Sequence, residues 1–403
     1  MFVVSCRRRF ATVIAIATDI TTDIATRLCA RTRALLAGAF AAVALAACGT
    51  GAPMPPPPPP DPSAAEQQKQ AFVEAMRPRR PGRPVIVVLA LNDATETTDL
   101  LLPHAVLERA DVAEVLVVAP RSGDVRLYPA LRVHAEMDFA GFERAHPAGA
   151  DYVIVPAMEP RDDPQVSAWL ARQAARGARV IGVCAGALVV AQAGLLDGRR
   201  YVSHWYYQGQ VSAERPGATF VPHRRYVVDG DVATTTGITA SVPMTLALVE
   251  AIGGAPRARA LAAELGVPSW TPAHDSTRFG LDLARRAAYI ADTLTFWRRE
   301  RREIEVRDGS DDIALAFAAD AWTRTRRAQV EAVAARPAVR LRSGLVLVTR
   351  PAIPEAARVA LAAGVPPMQQ LERTLCEIGR QLGERRRDRV EQELEYASAR
   401  SAC

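Results

Sequence analysis

A doubly wound α/β domain with a mostly parallel sheet is the fold this sequence predicts, on three observations. Short apolar runs of strand length alternate with segments of helical spacing. The runs are apolar throughout, as strands are when helices cover both faces of a parallel sheet. One run ends in Gly182-Val183-Cys184-Ala185-Gly186, where a strand gives way to a helix through a turn that flanking glycines permit.

In chain order, Pro84–Leu91 (PVIVVLAL) reads as the first strand, Asp99–Ala110 as a helix and Ala113–Pro120 (AEVLVVAP) as the second strand. Asp151–Ala157 (DYVIVPA) is the third, and Asp163–Gly177 a helix stopped by its glycine. Ala178–Val183 then delivers Cys184, and AGALVVAQAGLL continues as a helix. Arg199–Trp205 is extended, Arg225–Gly237 is a hairpin about Asp229-Gly230, and Ser241–Gly254 is a closing helix. Residues 83–255 therefore form one flavodoxin-like domain with a nucleophile elbow. Residues 256–403 read as a mainly helical C-terminal region. Ala314–Ala335 and Gln369–Ala397 are its helices, Val339–Val348 turns as a hairpin at Ser343-Gly344, and the charges of Arg285-Arg286 and Arg298–Arg302 form a solvated helix face.

The beginning of the chain reads as a targeting segment. Arg31 and Arg33 precede the apolar stretch Ala34–Ala47, which is shorter than the roughly 20 residues of a membrane-spanning helix. Residues 1–47 are accordingly expected to be a signal peptide. Leu45-Ala46-Ala47-Cys48-Gly49 resembles a bacterial lipobox, which makes Cys48 the acylated first residue of a mature lipoprotein; plain secretory cleavage is the alternative. The proline run Pro55–Pro60 is extended and stiff, so 48–82 is a lipidated N-terminus and spacer. The expected location is the cell envelope, with membrane attachment through the lipid.

With 49% hydrophobic and 23% charged residues in 403, the composition is that of an ordinary globular protein. The net charge of +6 is spread over many segments, which reads as a solvated basic surface and not as a nucleic-acid face. Lipidation of Cys48 leaves Cys184, Cys376 and Cys403; whether the last two pair is open. The histidines are scattered and no Cys or His pair has ligand spacing, so neither a metal nor a cofactor is expected.

Cys184 carries the candidate chemistry. A nucleophile on a strand-to-helix elbow sits above a helix N-terminus, whose dipole favours the thiolate. The bland alternative is a buried cysteine acting as a small hydrophobe. His204 reads by spacing alone as a satisfied histidine beside Trp205, Tyr206 and Tyr207, and Asp99 reads equally as a helix N-cap.

GVCAGALVVAQAGLLDGRRYVSHW, followed by RRYVVDGDVATTTGITASVPMTLALVE, resembles the ThiJ/PfpI family of the class I glutamine-amidotransferase-like superfamily. The resemblance is closest to the branch that forms the N-terminal domain of AraC-type regulators, here without a recognisable DNA-binding domain. It spans Pro84 to about Gly254. It implies Cys184 as nucleophile between the elbow glycines Gly182 and Gly186, His204 in VSHW as its partner, and Asp99 in TETTDLLLP as the acid on the thiol, with Glu96 the fallback. Ala185 belongs to the substrate region. Where the family carries Gly-Gly after the third strand to help form an oxyanion hole, this chain has Ala157 and Met158, which disfavours acyl transfer.

The expectation is an exported, lipid-anchored, cysteine-dependent hydrolase or hydratase acting on a small C–N compound, such as an amide or an isonitrile. The alternatives are a non-catalytic small-molecule sensor and a thiol redox sensor. Homodimerisation through the C-terminal region is also open.

Overall fold

The apolar runs become a central sheet because each buried strand can satisfy its backbone only by pairing on both sides. Its strands are Val85–Leu89 (β1), Glu114–Ala119 (β2), Met137–Asp138 (β3), Tyr152–Val155 (β4), Arg179–Gly182 (β5), Tyr226–Asp229 (β6) and Val232–Thr235 (β7). They lie in the order β6-β7-β5-β4-β1-β2-β3. Every pairing is parallel except the β6–β7 hairpin. The computed structural model describes residues 61–280, 289, 299–398 and 403. The expected signal peptide 1–47, Cys48, the run Pro55–Pro60, and Arg285, Arg286 and Arg298 lie outside the described residues.

The helices that matter here are Pro62–Ala75 (α1), Thr97–Ala110 (α2), Pro164–Ala175 (α3), Gly186–Gln192 (α4), Ser241–Gly253 (α5), Asp312–Arg324 (α6), Met368–Leu382 (α7) and Glu384–Leu394 (α8). Alternate side chains of β1 point to opposite faces and so enter two cores. Ile86 and Val88 join Leu100, Leu246 and Phe317 on the face covered by α2, α5 and α6. Val87 and Leu89 join Trp169 and Leu188 under α3 and α4. Among the described residues no helix is long and apolar enough to cross a membrane.

The C-terminal region carries α6, α7 and α8 and adds strands that sequence periodicity hid. The helix expected over Ala314–Ala335 ends at Arg324, and Arg326 takes φ +59°. Ala328–Val333 then pairs in parallel with Glu300–Glu305, since Ala328, Val330 and Ala332 alternate inward and suit a strand. The described part of the expected solvated helix face is thus a strand, and the Arg302 guanidinium stacks 3.8 Å over the Trp322 ring. The long helix expected over Gln369–Ala397 is two, broken where Gly383 takes φ +85°. The Val339–Val348 hairpin forms, and Val346–Val348 also pairs with Arg132–Ala135 of the preceding domain. The pairing that the sequence left open is made: Cys376 and Cys403, 27 residues apart, are disulfide-bonded.

Candidate active site

Cys184 lies two residues past the end of β5 and adopts φ +57°, the left-handed conformation that a sharp elbow demands and non-glycine residues rarely accept. Two hydrogen bonds hold it there: its N–H donates to Thr235 Oγ1 at 3.1 Å, and its carbonyl accepts from Ser203 Oγ at 3.1 Å. Gly186 is dictated by close approach, because a Cβ there would lie 2.0 Å from the Val155 carbonyl oxygen. At Gly182 a Cβ would meet the Ala187 backbone nitrogen at 3.1 Å, which is tight but not prohibitive.

Glu96 and Asp99 come from the start of α2, at the carboxyl end of β1. Glu96 is the N-cap: its Oε2 accepts from the Asp99 N–H at 2.7 Å and from Thr98 Oγ1 at 2.8 Å. Asp99 is fully buried; its Oδ2 accepts from the Ala157 N–H at 3.0 Å, and its Oδ1 has no partner. Asp99 therefore lies inside the first turn, and Glu96 holds the capping role.

The strand-like clamp around Ala157 and Met158 has a chemical consequence. Glu96 N–H donates to Ala157 O at 2.8 Å and Glu159 N–H to Ala94 O at 2.9 Å, while the Ala157 N–H is already spent on Asp99. The Ala157 amide is therefore committed inside the protein and not presented to a developing oxyanion.

His204 is buried, and both its ring nitrogens are engaged. Nδ1 accepts the Tyr206 N–H at 3.2 Å, which puts the proton on Nε2, and Nε2 lies 3.1 Å from the Glu393 carbonyl. The Trp205 Nε1–H donates to the Gln392 carbonyl at 2.7 Å. The histidine thus stands at the site as a tie to the C-terminal end of α8, and neither nitrogen is hydrogen-bonded to the Cys184 thiol.

Cys184, Ala185, Glu96, Ala157, Met158 and His204 line one cavity of about 470 Å³. Its mouth is aromatic, with Tyr128, Trp205, Tyr206 and Tyr207, and the C-terminal region closes it with Tyr289, Arg324, Arg326 and Glu393. Arg324 is a buried hub: Nη2 lies 2.6 Å from Glu96 Oε1, Nε 2.8 Å from Asp320 Oδ1, and Nη1 3.4 Å from Glu393 Oε2.

Burial dominates the electrostatics. It pushes the Cys184 thiol well above its ordinary value, with Asp99 and Glu96 adding to the effect and the Ala185 N–H and Arg324 opposing it. The helix-terminus argument for a thiolate is thereby outweighed: Cys184 is only 5% exposed, and acidic groups face it. Burial and the neighbouring Glu96 likewise raise Asp99 well above the carboxylate range, so it holds its proton. Burial lowers His204, keeping the imidazole neutral.

Sequence reasoning located the elbow and its acids but missed Arg324, Arg326 and Glu393. A signal existed for the first: Asp320 and Arg324 are charges four residues apart on a helix that is otherwise apolar apart from Asp312 and Thr323.

Residues 85–251 match the DJ-1/PfpI family. The chain is 35% identical over 120 residues to isonitrile hydratase of Pseudomonas putida, covering 30% of this chain and 49% of the relative. It is 30% identical over 164 residues to the HTH-type transcriptional regulator GlxA of Rhizobium meliloti, covering 40% and 49%. The chain thus spans about half the length of each. Among solved structures, a ThiJ/PfpI family protein from Pseudomonas syringae aligns at 22% identity and TM-score 0.45 over 52% of this chain and 86% of that one. Drosophila melanogaster DJ-1beta aligns at 19% and 0.42 over 46% and 99%.

Proposed function

Because residues 85–251 form a DJ-1/PfpI domain, we propose that the protein is a Cys184-dependent hydratase of small neutral C–N compounds, with isonitriles as the leading substrate class. The observation that carries this reading is the elbow cysteine at a cavity of about 470 Å³, with the Asp99 carboxyl, one oxygen unpartnered, buried behind the cavity wall and bearing on the thiol. The protonation states favour addition over acyl transfer. Amide hydrolysis asks for a thiolate and a free oxyanion hole; here the thiol is pushed up and the Ala157 N–H is occupied.

Hydration of an isonitrile needs neither. The Cys184 sulfur bonds to the terminal carbon of R–N≡C, Asp99 delivers its proton to that carbon, and the thiol proton replaces it on Asp99. The product is a thioimidate, R–N=CH–S–Cys184. Water then adds to the same carbon, the nitrogen takes a proton, and the C–S bond breaks to release R–NH–CHO and the thiol. The sum is isonitrile plus water giving an N-substituted formamide, with no redox change. The relative named isonitrile hydratase supports this choice of substrate class.

Export and lipid attachment through Cys48 belong to the same proposal. The Cys376–Cys403 disulfide supports it, because such bonds persist in oxidising compartments.

The test is formamide production from cyclohexyl isocyanide by wild type and Cys184→Ala. Turnover that falls more than about a thousandfold in the variant upholds the reading. A second reading, a sensor without turnover, is favoured by the engagement of both His204 nitrogens with backbone and by the relative named as a regulator. An inert wild type that is nevertheless stabilised thermally by the isocyanide would select it.

A further inference from the structure

Among the described residues of the C-terminal region, Arg324 is the basic residue that reaches the acid pair beside the thiol. Its guanidinium has 11% of its side chain exposed and meets Glu96, Asp320 and Glu393 together. Glu96 links directly to the reacting centre: the oxygen not held by Arg324 caps the first turn of α2 and fixes the Asp99 backbone. Asp99 in turn keeps one oxygen on Ala157 and the other free of protein partners. The path from Asp320 through Arg324 and Glu96 to Asp99 is thus made of direct hydrogen bonds, and it crosses 228 residues of sequence at its central step.

Resting on the Cys184 reading above, we propose that Arg324 is the positioning residue of this site: it clamps Glu96 so that Asp99 is presented to the thiol, and its charge counterbalances the acids facing the sulfur. The C-terminal region is then part of the active site and not an appendage. The charge argument has a definite sign. The groups that bear on the Cys184 sulfur are Asp99 and Glu96 from α2, Tyr207 from the loop after β5 and α4, and Arg324 from α6. His204, Arg326 and Glu393 line the same cavity. Removing the guanidinium leaves acids unopposed and disfavours the thiolate; removing Glu96 does the reverse.

The experiment is the pH dependence of Cys184 alkylation by iodoacetamide, read by mass spectrometry on the Cys184 peptide, in the full chain. Arg324→Gln is expected to move the midpoint up by about one pH unit, a tenfold slower reaction at fixed pH below it. Glu96→Gln is expected to move it down, Arg324→Lys to keep it near wild type, and the double variant Glu96→Gln/Arg324→Gln to return toward wild type. Arg342→Gln, which removes an exposed ion pair with Glu264, controls for net charge. A folded Arg324→Gln with the wild-type midpoint overturns the proposal. Should that variant fail to fold, the double variant measured against Glu96→Gln decides: a higher midpoint in the double variant upholds the role of Arg324, and an equal one overturns it. Alkylation requires no turnover, so a protein inert toward isocyanides leaves this result readable and sinks only the hydratase.

Discussion

The Nε2 of His204 lies 3.1 Å from the backbone carbonyl of Glu393, a contact across 189 residues that fastens the loop after the elbow helix to the end of α8. A histidine engaged on both nitrogens is placed to hold two segments together, and its burial keeps it uncharged. His204→Gln is expected to lower stability by about 1 kcal/mol, the worth of one buried hydrogen bond. Its kcat on isocyanide should fall less than about tenfold, where loss of a general base costs about a hundredfold or more. Chemical denaturation and steady-state kinetics on one preparation separate the two.

Gly186→Ala should be among the most damaging single changes. The new methyl would meet the Val155 carbonyl oxygen at 2.0 Å, and because that atom is backbone the elbow itself must move. A loss on the order of 3 kcal/mol or more is expected, with Gly182→Ala clearly milder. Thermal melts of the pair test the order.

Reduction of the Cys376–Cys403 bond frees α7 from the last residue of the chain. For a loop of this size the chain-entropy relation gives about 3.6 kcal/mol. Cys376→Ser should match the reduced wild type in denaturant midpoint, and dithiothreitol should leave the variant unchanged.

Acid lability should trace in part to His104, buried within α2 and lowered by that burial to about 4. The unfolded state binds its proton first, so this contribution is fully present above about 6.5 and is lost as pH falls toward about 4. Asp320, raised by burial to about 7, acts with the opposite sign, its contribution fading as pH rises toward that value. His104→Leu should therefore flatten the acid limb of the melting temperature against pH relative to wild type. An unchanged limb would show that His104 does not carry it.

The central sheet was legible because burial on both faces writes itself as uninterrupted apolar residues, as in Ile86–Leu89 and Tyr152–Val155. The elbow was legible because its backbone needs are local: Gly182 and Gly186 sit two residues either side of Cys184. The strand Ala328–Val333 was not, since a short alternating run after an Ala-rich helix continues the helical composition and only its parallel partner decides it. The thiol's protonation was misread for a related reason. A helix N-terminus is visible in sequence, whereas the depth at which Cys184 sits and the acids that reach it are set by the tertiary fold.

The last turn of α8 gives its carbonyls to His204 and Trp205 and a carboxylate to Arg324. Trimming this protein to its recognisable half, ending at Gly254, would therefore strip a wall from the chamber. The nucleophile would open onto bulk water, and Glu96 would be left without its cation. Such a fragment would be a poor guide to the substrate preference of the whole chain.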